Sequence, residues 1–310
     1  MTTVLVVGAT GQLGGRIAHH CLGRSEAKVR LLVRQGAQED AGKGPPLRAL
    51  VARGATLAFG DLRDEASLMD ATAGADVVVS AVQGGPDVIV DGQVALARAA
   101  QANGVRRILP SDFAVDLFKA PKGEHPLLAM RREADERIAE LGLESVHVLN
   151  GAFMDILTAP FFQVYDADRH VVRFWGDGNE EFDATSIEDT ARFTARAALD
   201  RTVPAGKLAV SGERLSFVEI AKALGQATGQ EVRAETRGSI DELNAFIART
   251  RAANPDPMAT VPALYQLYMI TGRTALDAPQ NERFPELRPE SFGEFLARTQ
   301  PTSASGKDPA

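Results

Sequence analysis

The chain has 310 residues, with Lys+Arg 34 against Asp+Glu 41 and a formal net charge of −7. Its 45% hydrophobic and 24% charged residues are typical of a globular protein and exclude a disordered or fibrous chain. The acidic balance argues against a nucleic-acid surface, and the single Cys21 excludes an intramolecular disulfide or a cysteine-based zinc site. No stretch reaches the roughly 20 apolar residues of a membrane span, and no targeting segment is visible, so a reduced, cytoplasmic compartment is expected.

The first half of the chain alternates short apolar runs with helical patterns. The predicted strands are residues 4–7, 29–33, 56–59, 77–82, 107–109 and 146–149. The predicted helices are residues 12–22, 45–53, 65–72, 88–103 and 127–141. Strand and helix at this spacing predict a parallel sheet with right-handed crossovers, the doubly wound α/β fold of dinucleotide-binding proteins.

The second half predicts a smaller α+β unit. Residues 171–175 and 182–184 flank the glycine turn at 176–179 and predict a hairpin. Further predicted elements are a helix over 187–199, strands at 208–210 and 232–234, and two helices opened by the capping boxes Ser216–Glu219 and Ser239–Glu242. The division that we expect is a dinucleotide-binding domain of 1–155 and 181–203, a substrate cap of 156–180 and 204–298, and a polar, disordered tail of 299–310.

A glycine-rich segment, Gly8-Ala9-Thr10-Gly11-Gln12-Leu13-Gly14, joins the first strand to the first helix. Glycines there let the backbone approach a pyrophosphate, and the helix N-terminus offers unpaired N–H groups and a positive dipole end. The G-x-x-G-x-x-G spacing alone is weak evidence, because it also arises by chance. Its position after a β-branched strand and before an amphipathic helix favours dinucleotide binding.

The second predicted strand ends in Arg34, where a protein that binds NAD usually carries an Asp or Glu for the ribose 2′-hydroxyl. The nearest acids, Glu39 and Asp40, lie further along the chain. A guanidinium forms a paired, charge-assisted bond with a 2′-phosphate, whereas a carboxylate repels it. We therefore expect NADP(H) as the cofactor, with an ordinary exposed arginine as the alternative interpretation of Arg34.

Seven segments of the chain together resemble a known family. They are GATGQLG (8–14), LLVR (31–34), GDLRD (60–64), VVVSAV (77–82), PSDF (110–113), NGAF (150–153) and TSIEDTARFTARA (185–197). On these residues the sequence is similar to the NmrA-like and isoflavone-reductase-like branch of the atypical short-chain dehydrogenases. The resemblance covers about residues 1–200 well and the remainder loosely, and it implies an NAD(P)-binding Rossmann oxidoreductase.

The resemblance also implies a set of cofactor contacts. At the glycine loop, the residues expected to line the pyrophosphate are Gly8, Thr10, Gly11, Gln12, Leu13 and Gly14, while Arg34 matches the arginine for the 2′-phosphate. The contacts implied elsewhere are Asp61 and Leu62 beside the adenine, Ser80, Ala81 and Val82 beside the inner ribose, and Asn150, Gly151 and Phe153 near the nicotinamide. For Asp61, the residues alone leave open a helix cap ahead of Glu65.

The tyrosine–lysine pair of typical short-chain dehydrogenases is absent. The residues four positions after Tyr165, Tyr265 and Tyr268 are Arg169, Met269 and Gly272. The isoflavone-reductase branch uses instead a lysine on the helix after its PSEF-like motif, and our alignment places Arg131 there. Lys119 and Lys122 lie upstream in the preceding loop and are poor substitutes by position.

Arg131 changes the chemistry that this position offers. Arginine stays protonated at any working pH, so it is a poor proton donor, but it stabilises a developing oxyanion. The alternative is a solvated arginine paired with Asp135 one helical turn away. Three further residues are candidates to carry a proton, each with a plain structural alternative: Ser111 as a strand-end cap, Asp112 as a surface acid and His125 as a loop histidine.

No zinc-protease, P-loop or nucleophile-elbow motif is present, and we expect no metal site, with His19 and His20 on the surface. A set of large side chains has two interpretations, as the wall of an apolar pocket or as ordinary core packing. The set is Phe153, Met154, Phe161, Phe162, Tyr165, Tyr265, Tyr268 and Met269.

The sequence thus predicts an NADPH-dependent reductase of a small, aromatic or enone-like substrate, with Arg131 and Ser111 as its catalytic residues. The alternative is a non-catalytic redox sensor of the NmrA type that binds NADP(H) and acts through a regulatory protein partner. A sugar-nucleotide epimerase is a weaker interpretation, because that chemistry normally needs the missing tyrosine. We expect a small-molecule substrate and no direct contact with nucleic acid or membrane.

Overall fold

The computed structural model describes residues 1–299 of the chain. These residues divide into two compact units. The first contains Met1–Asn150, Ile187–Val210 and Leu276–Leu287, and the second contains Gly151–Ser186, Ser211–Ala275 and the described part of Arg288–Ala310. Apart from Thr299, which ends a helix, the predicted tail lies outside the described residues. No helix within residues 1–299 is long and apolar enough to cross a membrane.

The strands and helices of the described residues follow the chain in this order. The strands are β1 (Thr2–Val7), β2 (Ala27–Val33), β3 (Thr56–Phe59), β4 (Val77–Ser80), β5 (Arg107–Leu109), β6 (Glu144–Leu149), β7 (Ala152–Phe153), β8 (Tyr165–Asp166), β9 (Val171–Phe174), β10 (Phe182–Thr185), β11 (Gly206–Ala209), β12 (Glu213–Leu215) and β13 (Arg233–Thr236). The α-helices are α1 (Gln12–Leu22), α2 (Gly44–Ala52), α3 (Glu65–Thr72), α4 (Gln93–Ala102), α5 (Pro126–Ala139), α6 (Met154–Leu157), α7 (Ile187–Leu199), α8 (Phe217–Thr228), α9 (Ile240–Ala253), α10 (Val261–Ile270) and α11 (Phe292–Thr299). A π-helical turn, Asp87–Gly92, precedes α4, and short 3₁₀ turns occupy Pro160–Phe162, Pro257–Thr260 and Asn281–Arg283.

The first unit is built on a parallel sheet of seven strands within the described residues, in the order β11-β6-β5-β4-β1-β2-β3. The predicted doubly wound α/β fold is thereby confirmed. Strands β2 and β3 lie on one side of β1 in the sheet, and β4 lies on the other side. Ligands of such sheets bind outside the carboxyl ends of the strands at this reversal, which here lies between β1 and β4.

The burial of the strands in the first unit explains why they could be predicted from the sequence. All four residues of β4 are buried, as are the last four of β1. Strands covered on both faces become continuous β-branched runs rather than alternating ones. The helix predicted at 88–103 is found with a π-helical first turn, and the strand predicted at 77–82 ends at Ser80.

A fully buried arginine joins the end of α7 to the sheet. The guanidinium of Arg107 in β5 donates to the carbonyl oxygens of Ala197 (2.9 Å) and Asp200 (2.8 Å), and its Nε donates to Glu144 of β6 (2.7 Å). These carbonyl groups at the C-terminal end of a helix have no partner within the helix itself. One side chain therefore satisfies them and holds α7 against β5 and β6.

Helix starts in the second unit follow local rules that the sequence displays. Both predicted capping boxes are confirmed, with reciprocal bonds between Ser216 and Glu219 and between Ser239 and Glu242. Each box satisfies two backbone donors that the helix leaves unpaired.

The predicted hairpin of the second unit is wrong. The strands β9 and β10 do flank the glycine turn, but they belong to different three-stranded sheets, β13-β9-β8 and β12-β10-β7 in the described residues. Strand β9 pairs with β8 and β13, and β10 pairs with β7 and β12, so that both edges of each strand are already occupied. Local turn chemistry cannot override these longer-range pairings.

The boundaries of the two units differ from the expected division. Residues 204–210 were expected in the cap, but β11 pairs in parallel with β6 and extends the sheet of the first unit. Residues 276–287 also lie in the first unit, where Gln280 N donates to Ala209 O (2.8 Å). Conversely, 151–155 and 181–186 lie in the second unit, because β7 pairs with β10.

Candidate functional site

The glycine loop between β1 and α1 is packed too closely for side chains. Gly8 has a left-handed backbone (φ +88°), and a Cβ there would lie 2.3 Å from Ala81 O. A Cβ at Gly14 would lie 2.3 Å from Gly8 O. The loop is closed by a hydrogen bond from Gly11 N to Gly8 O (2.9 Å). Glycine is therefore required here by close backbone approach and, at Gly8, by conformation as well.

The N-terminus of α1 has the properties of an anion site. Gly11 is its N-cap, and no side chain among residues 1–299 caps it by a hydrogen bond. Its first turn holds no acidic residue. Gly11 and Gln12 are exposed, and Thr10 and Leu13 are half-buried. Open N–H groups, the positive dipole end and the lack of a nearby carboxylate in this turn all favour a bound pyrophosphate.

Arg34 lies directly after β2 and is exposed. A hydrogen bond from Lys43 N is the largest cause that lowers the pKa of Asp40, and a hydrogen bond from Arg63 is the largest cause that lowers the pKa of Asp61. The positive charge of Arg34 lowers both pKa values further. No ion pair within 4.0 Å engages its guanidinium among residues 1–299, whereas Arg63 is paired with Asp61 (3.1 Å). Arg34 is therefore available to an anionic ligand.

Asp61 and Leu62 lie in the loop that follows β3. Asp61 does not cap α3, because the N-cap is Asp64, whose Oδ1 accepts from Ala66 N (3.2 Å). The hydrogen bond from Arg63 lowers the pKa of Asp61, so its carboxylate is ionised at neutral pH. Leu62 packs against the π-helical turn, where a Cβ on Gly92 would lie 2.9 Å from Leu62 Cβ.

The end of β4 joins the glycine loop to the next strand along the sheet. Ala81 N donates to Val7 O (2.9 Å), and Val82 O accepts a hydrogen bond from Ser111 Oγ (2.8 Å). Ser80 is fully buried, and its hydroxyl has no hydrogen-bond partner within the described part of the chain. The predicted residues 80–82 therefore lie at the reversal of strand order, beside Gly8.

Arg131 and Ser111 are in direct contact. Arg131 Nε donates to Ser111 O (2.9 Å) and its Nη1 donates to Leu127 O (3.1 Å). Nη2 has no protein acceptor within residues 1–299, and the side chain is half-buried. Ser111 N in turn donates to Gln93 Oε1 (2.8 Å). Carbonyl groups, rather than the alternative partner Asp135, therefore orient this guanidinium.

Asp112, Asp135 and His147 form what we call the acid–histidine cluster. His147 Nδ1 lies 2.7 Å from Asp112 Oδ2 and 3.6 Å from Asp135 Oδ2. Burial, and next the charge of Asp112, raises the pKa of Asp135 to about 10. Within residues 1–299, they form the group of three His, Cys, Asp or Glu side chains whose potential metal-ligating atoms all lie within 4.8 Å of one another. Asp112 is therefore a buried acid, and not the surface acid of the alternative interpretation.

The other proton-carrying candidates and the two upstream lysines have structural contacts. His125 is the buried N-cap of α5, with Nδ1 accepting from Leu128 N (3.4 Å), and is not a loop histidine.

The two upstream lysines form ion pairs: Lys119 pairs with Asp277 (2.8 Å) and Lys122 with Glu136 (2.8 Å). On α1, His20 Nε2 lies 2.7 Å from Glu188 Oε1.

The residues predicted near the nicotinamide are divided between the units. Asn150 is fully buried in the first unit, where its N donates to Ala114 O (3.0 Å). Gly151 and Phe153 belong to the second unit, and a Cβ on Gly151 would lie 2.3 Å from Asp183 O. Of the large apolar candidates, those buried in the core of the second unit are Met154, Phe162, Tyr268 and Met269, whereas those at least partly accessible are Phe153, Phe161, Tyr165 and Tyr265.

Three residues of this region are not among those predicted from the sequence: Gln93, Asp135 as a buried group, and His147. Two of them carried a signal. Asp135 continues the helical spacing of Leu128 and Ile138, which are buried, so it falls on the core-facing stripe of α5. His147 interrupts the apolar run 146–149 in strand β6. A polar side chain at a core position needs a partner, and this rule would have indicated both.

The order of the strands, its reversal between β1 and β4, and the glycine loop at that point together define a dinucleotide-binding α/β protein of the Rossmann type. The chain belongs to the NmrA-like family, whose model matches residues 1–296. It is 25% identical over 308 residues to "Isoflavone reductase homolog P3" of Arabidopsis thaliana, covering 95% of this chain and 97% of that protein. It is 26% identical over 307 residues to "Pinoresinol reductase 1" of the same plant, covering 93% of each.

Solved structures share this fold. One described as "AtPrR2 with NADP+ and (+)pinoresinol" superimposes with a TM-score of 0.80 at 24% sequence identity, covering 95% of this chain and 97% of the other. The predicted resemblance to the NmrA-like and isoflavone-reductase-like proteins is therefore confirmed for family and fold.

Proposed function

We propose that the protein is an NADPH-dependent reductase of a small, aromatic or enone-like molecule. The observation that carries this proposal is the glycine loop, where close backbone approach leaves an uncapped helix N-terminus next to an unpaired arginine after the neighbouring strand. One of the curated relatives named above is a reductase by name and the other is named as a homolog of a reductase, and the solved structure named above is described with NADP+, which supports the same class.

The residues present fit the cofactor. Side chains at Gly8 and Gly14 would collide with the backbone at Ala81 O and Gly8 O and so disturb the loop that presents its N–H groups to a pyrophosphate, and the buried Ser80 hydroxyl offers an unused hydrogen-bonding group at the strand reversal. Backbone N–H groups of Gln12 and Leu13 would hold the pyrophosphate, and Arg34 the 2′-phosphate. When bound, NADPH supplies the hydride. Asp61 and Leu62 would border the adenine, with Ala81 and Val82 beside the inner ribose.

Arg131 would stabilise negative charge on the substrate. Its guanidinium is held by Ser111 O and Leu127 O, which leaves Nη2 to donate to a developing oxyanion. A preorganised donor of this kind lowers the barrier because it needs no reorientation during the reaction. Ser111 would contribute by fixing the guanidinium, since its own hydroxyl already donates to Val82 O.

Cofactor preference is tested by replacing Arg34. Arg34→Ala should weaken NADPH binding about 10- to 100-fold and leave NADH binding unchanged, because only NADPH carries the phosphate that the guanidinium pairs with. Lys28→Ala removes an exposed cation from the opposite end of the same strand and serves as the control. Equal losses for both cofactors in Arg34→Ala would refute this role.

Reductase activity is tested by NADPH oxidation with a panel of quinones, enones, aryl ethers and aryl carbonyls. Turnover with an aromatic or enone substrate is expected. Cofactor binding without oxidation of NADPH by any member of the panel would contradict a reductase.

A second candidate, an NADP(H)-binding redox sensor, is favoured by one observation. Arginine is a poor proton donor, and the nearby lysines Lys119 and Lys122 are held in ion pairs with Asp277 and Glu136. A sensor would bind a protein partner with an affinity that changes between NADPH and NADP⁺, without turnover. Partner affinity measured with each cofactor form separates the two candidates.

A further inference from the structure

The acid–histidine cluster joins the three elements around the Ser111–Arg131 contact. Asp112 directly follows Ser111 in the loop after β5, and Asp135 lies one helical turn after Arg131 on α5. His147, on β6, is within 2.7 Å of the first carboxyl group and 3.6 Å of the second. Any change in the charge of this cluster therefore acts on elements that hold Ser111 and Arg131.

The charge of the cluster is unbalanced if both carboxyl groups are ionised. Asp112 is 0% exposed and Asp135 is 5% exposed. Asp112 Oδ1 and both carboxyl oxygens of Asp135 have no hydrogen-bond partner within residues 1–299. Two ionised carboxylates that are buried this closely would lose hydration and repel each other. A proton on Asp135 removes one charge and provides a donor for Asp112.

We propose that Asp112, Asp135 and His147 share a buried proton, and that Asp135, in its protonated form, is a positioning residue for Arg131. The positioning role rests on the reductase function proposed above. Protonated Asp135 donates to Asp112, Asp112 accepts from His147, and the loop after β5 stays in place. Ser111 O then remains aligned with Arg131 Nε.

The charged groups around Asp135 support this state. Asp112 from the loop after β5 and Glu136 from α5 disfavour ionisation, whereas Arg131 favours it. Burial is the largest cause of the raised pKa of about 10, so the proton stays on Asp135 at neutral pH and leaves in alkali. His147 faces the same carboxyl group from β6.

The π-helical turn and α4, which both pack against α5, contribute none of the charges that shift the pKa of Asp135. Gln93 of α4 is neutral and is bonded to Ser111 N. Asp91 of the π-helical turn is paired with Arg137 instead (3.0 Å). The Phe118 ring lies edge-on to the His147 ring, with 5.0 Å between the two ring centroids.

Proton sharing is tested by the stability of Asp135→Asn, an isosteric change that removes the ionisable group. A carboxyl group whose pKa is higher in the folded state than in the unfolded state lowers the free energy of unfolding as pH rises. This loss begins near the pKa of the unfolded state, about 4, and continues up to the pKa of the folded state. Asp135→Asn should therefore unfold several degrees above the wild type at about pH 8, and the difference should shrink towards about pH 4. Glu133→Gln, which changes an exposed acid on the same helix, is the control and should show no such rise.

Positioning is tested without turnover by the arginine ¹³Cζ–¹⁵Nε spectrum, with the Arg131 signal assigned from Arg131→Lys. In the wild type and in Glu133→Gln, this signal should shift as pH rises through about 10, while in Asp135→Asn it should stay unchanged. If a substrate is found, the kcat of the wild type should fall over the same range, with an unchanged KM for NADPH and no fall in Asp135→Asn. A protein that shows the spectral change but turns nothing over would refute the reductase and keep the cluster.

Three results would overturn the proposal. The first is a lower melting temperature of Asp135→Asn than of the wild type at about pH 8, because it would mean that an ionised Asp135 stabilises the fold. The second is an Arg131 signal whose pH dependence is the same in Asp135→Asn and the wild type. The third is a rise in wild-type melting temperature with Zn²⁺ or Mn²⁺ that both Asp135→Asn and His147→Gln abolish, which would assign the cluster to a cation.

Discussion

Two regions of the first unit are built by opposite means. The glycine-loop region, residues 8–14 with Arg34, is shaped by backbone and by the absence of side chains. The Ser111–Arg131 region is held together by side-chain contacts among the loop after β5, α4, α5 and β6, which are far apart in the sequence. The first offers fixed N–H groups to a ligand, and the second offers one oriented cation. A site formed by backbone therefore tolerates almost no substitution, whereas a site formed by side chains loses activity gradually as single contacts are removed.

The largest effect is expected at the glycine loop. Gly14→Ala would place a Cβ 2.3 Å from Gly8 O, so either the loop or α1 must move. We expect NADPH affinity to fall by more than about 100-fold, and the melting temperature to fall as well. Gly23→Ala, whose Cβ would meet its nearest atom at an ordinary 3.4 Å, is the matched control. Equal NADPH affinity of the two variants by calorimetry would contradict the requirement for glycine at position 14.

A smaller effect on binding and a large one on turnover are expected at Arg131. Arg131→Ala should lower kcat about 100-fold, because it removes the oriented donor, and should leave the affinity for NADPH nearly unchanged. Arg137→Ala, a variant of the same helix whose arginine pairs with Asp91, should keep full activity. Steady-state kinetics on both variants separate an oxyanion role from a general effect on α5.

The smallest effect is expected at Ser111. Ser111→Ala removes the hydrogen bond from Oγ to Val82 O but keeps the backbone carbonyl that receives Arg131 Nε. Loss of one such hydrogen bond corresponds to about a 2- to 10-fold change in kcat. A loss as large as that of Arg131→Ala would mean that the hydroxyl itself acts on the substrate.

The two regions also differ in how far the sequence predicts them. The doubly wound sheet, the glycine loop and both capping boxes follow from local rules, since buried strands, close backbone approach and helix ends each demand particular residue types nearby. The acid–histidine cluster does not, because Asp112, Asp135 and His147 meet only after α5 has packed on the sheet. The hairpin prediction failed for the same reason, as the partners of β9 and β10 are set by distant strands.

The central claim is that the end of β1 and the N-terminus of α1 hold a dinucleotide whose 2′-phosphate is recognised after β2. Its most direct test is a calorimetric titration of the purified wild-type protein with NADPH and, in parallel, with NADH. We predict saturable one-to-one binding of NADPH that is at least about 10-fold tighter than that of NADH. Equal affinity for the two cofactors, or no heat of binding with either, would contradict the claim.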